Sequence, residues 1–297
     1  MDDTLNETTG LLRRWLGRQL TSAQVEQLDA TLKHIREAGP AVDRLIFKEV
    51  SLAIRKYGKS DLELTADDFD AAAAQREGWH PVGWTVDQTA RLLMILTSAL
   101  HGTEGFVARV EKLFRTADVG ELVAFYQGLP LFPESEAFVA RAAEGCRTNM
   151  KAVFEAVSHH NPYPSERFDE VAWNHLVLKS IFIGSTLFHI QGLDARQNPE
   201  LTRMLCDYAH ERWAASRTIT PELWRCTSRY ATDETIADLK RVLASDDLHE
   251  RQAGALALAA SPHPDAGEVL KDHPELSQAI ETGSLTWASL VRDAGLI

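Results

Sequence analysis

A chain of 297 residues with 44% hydrophobic content can bury a large core, as one extended domain or two smaller ones. Its formal net charge of −12 argues against a phosphate-backbone partner, since nucleic-acid binding ordinarily shows a basic face. Three scattered cysteines, Cys146, Cys206 and Cys226, lack any CxxC spacing and read as buried reduced thiols suited to the cytoplasm. The polar, acidic start MDDTLNETTG has neither the basic nor the apolar region of a secretory signal. The longest apolar run, Leu176 to Ile190, is broken by Lys179, Gly184 and His189 and is too short to span a bilayer, so no membrane insertion is expected.

Taken in order, the chain shows helical periodicity almost everywhere, with no sustained alternation of apolar and polar residues and no Asn-Gly or Asp-Gly hairpin signal. Leu5, Leu12, Trp15, Leu16 and Leu20 share one stripe. Ser22 opens a second helix, through Val25, Leu28, Leu32 and Ile35, that Gly39-Pro40 stops, and a third runs from Val42 to Gly58. A short helix passes through Phe69 and four alanines, and a loop with Gly78, Pro81 and Gly83 follows. Thr85 and Gln88 form a capping-box pattern before a buried helix through Ala90 and Leu100, punctuated by Gly102 and Gly105. Val107–Phe114 and Val119–Tyr126 read as two more helices, and Leu129 to Pro133 as a rigid connector. Glu134 to Ser158 gives one long helix or two with a break near Gly145. Two prolines make His159 to Pro164 an ordered, non-helical segment whose Asn161, Tyr163 and histidines can reach neighbouring helix ends.

The unusual polar residues concentrate in the next stretch. Val171 to Ile183 is apolar on most faces yet carries Asn174, His175 and Lys179, which need partners because an unpaired buried polar group costs roughly 1–3 kcal/mol. Asn198-Pro199-Glu200 signals a helix start. On that helix Asp207, His210 and Glu211 fall at i, i+3 and i+4, with Arg203 one turn earlier and Tyr208 and Trp213 beside them. The expectation is that Lys179 or His175 meets the Asp207/His210/Glu211 face, near the loop of Asp194 and Arg196. Thr220-Pro221-Glu222 starts a further helix with Trp224 and Arg225. Beyond Thr232, paired short helices rich in alanine and joined by Asp246-Asp247 resemble HEAT units.

Nucleotide and hydrolase fingerprints such as GxGxxG, the P-loop, HExxH and GxSxG are absent. Three readings of the polar set stay open: an ion pair or Schiff-base lysine at Lys179, a divalent metal on Asp207, His210 and Glu211 closed by His175 or His159, and a small-molecule pocket among the aromatics. The wording NPYPSERFDEVAWNHLVLKSIFIG, followed by GLDARQNPELTRMLCDYAHERWAASRTITPELWR, resembles the EboA family over residues 140–230, from a bacterial gene set that moves secondary-metabolite precursors toward the periplasm. His175 departs from the glutamine-like residue expected after Trp173-Asn174. The resemblance implies a cytosolic helical protein acting with other products of the cluster, and it implies no reaction.

The expected fold is all-α, antiparallel helix pairs forming an α-α superhelix that is HEAT/ARM-like at its C-terminal end. Its segments are 1–128, 129–230 and 231–297, within one continuous domain. The expected function is non-catalytic binding of a metabolite precursor, or of a cluster partner protein, in a pocket drawing on Asn161, Tyr163, Asn174, Lys179, Asp207, Tyr208, His210, Glu211, Trp213 and Arg225. Two alternatives use or drop those residues: a metal-assisted or lysine-dependent enzyme, and a purely structural scaffold.

Overall fold

Side chains that serve as helix caps set where the helices of this chain begin. Thr21 and Gln24 bond reciprocally, the Thr21 hydroxyl accepting the Gln24 N–H at 3.3 Å and the Gln24 amide oxygen accepting the Thr21 N–H at 3.1 Å. Asp118 and Glu121 do the same at 2.8 and 3.0 Å. A computed structural model describes residues 2–100 and 103–297. It divides into two units, 1–168 and 169–297.

The first unit holds α1 (Asp2–Gln19), α2 (Ser22–Glu37), α3 (Val42–Tyr57), α4 (Ala66–Gln75), α5 (Val86–Thr97), α6 (Phe106–Thr116), α7 (Val119–Gln127), α8 (Val139–Gly145), α9 (Lys151–Ser158) and α10 (Tyr163–Arg167). Helix α5 is the centre: every residue on it except Gln88 is buried, and α1, α2, α3 and α7 pack against it. It carries a buried ion pair of its own, Asp87 with Arg91, one turn apart. At the end of α8, a Cβ on Gly145 would stand 2.6 Å from the Tyr126 ring and 2.8 Å from Val157, so only glycine lets these helices approach so closely.

The second unit holds α11 (Glu170–Phe182), α12 (Pro199–Ala214), a 3-10 turn (Pro221–Cys226), α13 (Asp233–Leu243), α14 (Leu248–Ala259), α15 (Ala266–Lys271), α16 (Pro274–Glu281) and α17 (Trp287–Asp293). Helix α14 is its hub, touched by α13, the 3-10 turn, α15, α16 and α17. Its alanines and Gly254 permit this, since a Cβ on Gly254 would already meet Val242 at 3.1 Å.

The all-α class holds: the described residues contain no β-strand, and Asp61 and Thr85 form an isolated antiparallel bridge. The break near Gly145 is real and spans residues 146–150. Several expectations change. The prolines of the 159–164 segment do not keep it wholly extended, because Pro164 sits in the first turn of α10, where a missing N–H removes no helical bond. Pro221-Glu222 starts a 3-10 turn rather than an α-helix. The expected helix punctuation at Gly102 lies outside the described residues.

All three cysteines are free and buried. Burial pushes the Cys146 thiol up to about 12 and the Cys206 thiol to about 11, and it raises Cys226 as well.

Candidate functional site

Between α4 and α5 the chain reads GWHPVGW, and this connection is where the first unit opens a cavity of about 230 Å³. Trp79, His80 and Trp84 line it from that side, Gln127 at the end of α7 and Glu155 and Ala156 on α9 from the other, and His159, His160 and Asn161 close it. Trp84 lies tilted against Trp79 at 6.0 Å, and Trp79 against Trp15 at 5.4 Å, so the cavity rests on a buried run of indoles. His80 lies between the ring of Phe69, at 4.8 Å and nearly parallel, and the ring of His160, at 5.3 Å. Two lining side chains hold a buried polar atom for which the protein supplies no partner, the Trp79 indole N–H and the Gln127 amide oxygen.

Asn161 shapes the rim. Its amide N–H groups donate to the carbonyls of Tyr126 and Ala156, each at 3.0 Å, and its oxygen accepts the Tyr163 N–H at 3.0 Å. The preceding residue, His160, is held at φ 51°, a left-handed conformation that a residue with a Cβ rarely adopts. Tyr163 lies behind the wall, its hydroxyl donating to the Ser135 carbonyl at 2.5 Å, and burial raises its pKa. Asn161 and His159 therefore line the cavity, while Tyr163 supports it. Sequence reading missed Trp79, His80, Trp84, Gln127 and Glu155. The available signal was two tryptophans and a histidine in a Gly/Pro-rich connection, where large aromatics need burial that a free loop does not give.

In the second unit the expected polar residues take separate partners. Asn174 on α11 exchanges amide bonds with Asn198, at 3.1 and 2.8 Å, while the Asn198 oxygen also caps α12 by accepting the Leu201 N–H at 2.8 Å. Asp207 is exposed and pairs at 2.5 Å with Arg203, which also grips Glu200. His210 faces α13, where its Nε2 lies 2.8 and 2.9 Å from the two oxygens of Asp238. Glu211 and His175 are exposed. The ammonium of Lys179 lies 5.5 Å from the centre of the Phe182 ring. Arg225 makes a bidentate pair with Asp194 at 2.8 and 2.6 Å. Tyr208 lies under the Arg212 guanidinium, Arg196 sits 4.9 Å over the Trp173 ring, and Trp213 stacks on Trp224.

The expected meeting of Lys179 or His175 with the α12 acids is thus replaced by local pairs. Arg203 stands one turn from Asp207 and needs no second helix to reach it. Asp207, His210 and Glu211 do not converge as a metal set either. Among the described residues the group of three that converges is Asp233, His263 and Asp265. There the His263 Nδ1 accepts the Asp265 backbone N–H at 3.3 Å, which places the proton on Nε2, 3.1 Å from Asp233. Both ring nitrogens are engaged within the protein.

Glu222, which sequence reading treated as a first-turn acid, is a buried clasp on residues 186–188. One oxygen accepts the Thr186 hydroxyl at 2.8 Å and the Phe188 N–H at 2.7 Å, the other the Leu187 N–H at 3.1 Å. Burial raises its pKa, and those three bonds and the charge of Arg225 only partly offset the shift. The folded state therefore holds a proton that the unfolded state releases above the ordinary value of 4.5. Stability contributed by this residue falls as pH rises from there through the raised value. In urea denaturation at a series of pH values, the advantage of the parent over Glu222→Gln is expected to be greatest in acid and to shrink as pH rises. An advantage that grows with pH contradicts the assignment.

Fold and site define an all-helical protein whose first unit encloses a small cavity walled by indoles and imidazoles. The chain belongs to the EboA family: the family model of the metabolite traffic protein EboA matches residues 8–228. No curated protein and no solved structure matches the chain. Among the described residues no helix is long and apolar enough to cross a membrane.

Proposed function

We propose that this chain is a non-catalytic binding or adaptor protein that holds a secondary-metabolite precursor in the cytoplasm while other products of its gene cluster pass it on. The family supports a role in metabolite traffic. One observation carries the binding role: the first unit's cavity has indole walls, Trp79 and Trp84, with His80, His159, His160, Glu155 and Asn161 as polar groups around them. Mostly apolar walls with a few orienting polar groups are what a small-molecule site requires. At about 230 Å³ the cavity suits a small flat molecule, or the ring of a larger one. Its seat differs from the α11–α12 face first considered, because the polar residues there are satisfied locally.

Ala152 lines the cavity from an exposed position on α9, so a large side chain there narrows the mouth without entering the core. A panel of uncharged heteroaromatic fragments, followed by saturation-transfer NMR and by the change in total tryptophan fluorescence, is expected to give saturable binders. Ala152→Phe is expected to weaken them about tenfold or more with an unchanged melting curve. A panel without a saturable binder, or binding indifferent to Ala152→Phe, defeats the proposal.

A further inference from the structure

The second unit has a larger cavity, of about 520 Å³, at the C-terminal ends of α12 and α13. That volume falls in the roughly 300–1,000 Å³ range of small-molecule sites. Its wall includes Trp224, buried, against Trp213 at 5.7 Å and 24°, and the Arg241 guanidinium 4.1 Å from the centre of the Trp213 ring. A cation–π contact at that distance restrains the guanidinium, whose planar fork fits a carboxylate through two parallel hydrogen bonds. Arg217 brings a second positive charge to the same cavity, and Asp246 and Glu250 bring two negative ones. Among the described residues, neither arginine forms an ion pair with either acid, although all four share one cavity. Arg217, Arg241 and Asp246 are exposed and Glu250 is half-buried, and Arg241 also feels the charge of Asp238, so both signs border the cavity beside an apolar wall that includes Ile219.

We infer that this cavity binds a small zwitterion of the amino-acid class, its carboxylate on Arg241 and Arg217, its ammonium on Asp246 and Glu250, and its side chain against Trp213. The acids disfavour a phosphate dianion, which two carboxylates repel, and the arginines disfavour a simple amine. The site is separate from the first unit's cavity, and its Arg241, Asp246 and Glu250 lie beyond the residues that match the family.

Three probes with one phenyl group separate the charges: L-phenylalanine, phenylacetate and phenethylamine, titrated calorimetrically into the full chain. L-phenylalanine is expected to saturate, with the other two at least about tenfold weaker. Arg241→Gln should weaken L-phenylalanine about tenfold or more without altering the melting curve. If that variant does not fold, Arg241→Lys, which keeps the charge and loses the flat fork, should show the same loss. The paired variant Asp246→Asn/Glu250→Gln should reverse the order, so that phenylacetate binds more tightly than L-phenylalanine, an outcome that damage to the fold does not produce. No saturable heat with L-phenylalanine, phenylacetate equal to it in the parent, or affinity unchanged in the arginine variants each overturns the inference.

Discussion

Asp87→Ala is expected to lower the stability of the first unit by about 3–5 kcal/mol, the usual penalty for breaking a buried ion pair from one side. Asp87 and Arg91 are each only 2% exposed. The pair is tied into its surroundings at both ends: the Thr85 hydroxyl donates to Asp87 at 2.6 Å, and the Arg91 Nε donates to the Val50 carbonyl on α3 at 3.2 Å. Removing the carboxylate leaves a guanidinium among apolar side chains at the centre of the unit, with one backbone carbonyl to answer it. Replacing both partners, as Asp87→Leu with Arg91→Met, is expected to recover most of that loss, because no charge then remains to be desolvated. Urea denaturation with unchanged slope measures both variants. A single-variant cost below about 1 kcal/mol is the range of exposed pairs and contradicts the burial described.

Asn161→Ala is expected to cost about 3 kcal/mol and to abolish binding in the first unit's cavity. One side chain serves three backbone groups, the carbonyls of Tyr126 and Ala156 and the N–H of Tyr163. Alanine strips all three of their partner at a site that is 4% exposed. These bonds also hold the turn in which His160 keeps its left-handed backbone, so the cavity rim relaxes with them. Asn161→Asp is the informative companion. It keeps the acceptor for Tyr163 but turns the donor end into a second acceptor facing two carbonyls, so it should be nearly as damaging. Denaturation together with fragment binding checks the pair; wild-type affinity in Asn161→Ala means that the residue does not shape the site.

The helices were legible because caps and breakers are local chemistry. Asn198-Pro199-Glu200 begins α12 with the Asn198 side chain as its cap, and Thr85 with Gln88 opens α5, its backbone N–H donating to the Gln88 amide oxygen at 3.0 Å. Partnership across helices was not legible. Spacing places Asp207, His210 and Glu211 on neighbouring positions of a helix, but it does not say whether that side meets another segment. The structure sends Asp207 to Arg203 on its own helix and His210 to Asp238 on α13. The first unit's cavity was the hardest to foresee, since residues 79–84 and 155–161 come together only in three dimensions and carry no shared periodicity. Asn161 and His159 were singled out for their residue types beside prolines, which is a signal of local order and gives no information about a distant wall.

The seclusion of the three sulfur atoms has a practical use. An alkylating reagent can reach them only during transient opening, and because Cys146 belongs to one unit while Cys206 and Cys226 belong to the other, labelling rates read by mass spectrometry give each half its own clock for breathing. No engineered reporter is needed, and a guest that tightens one half should slow that clock alone.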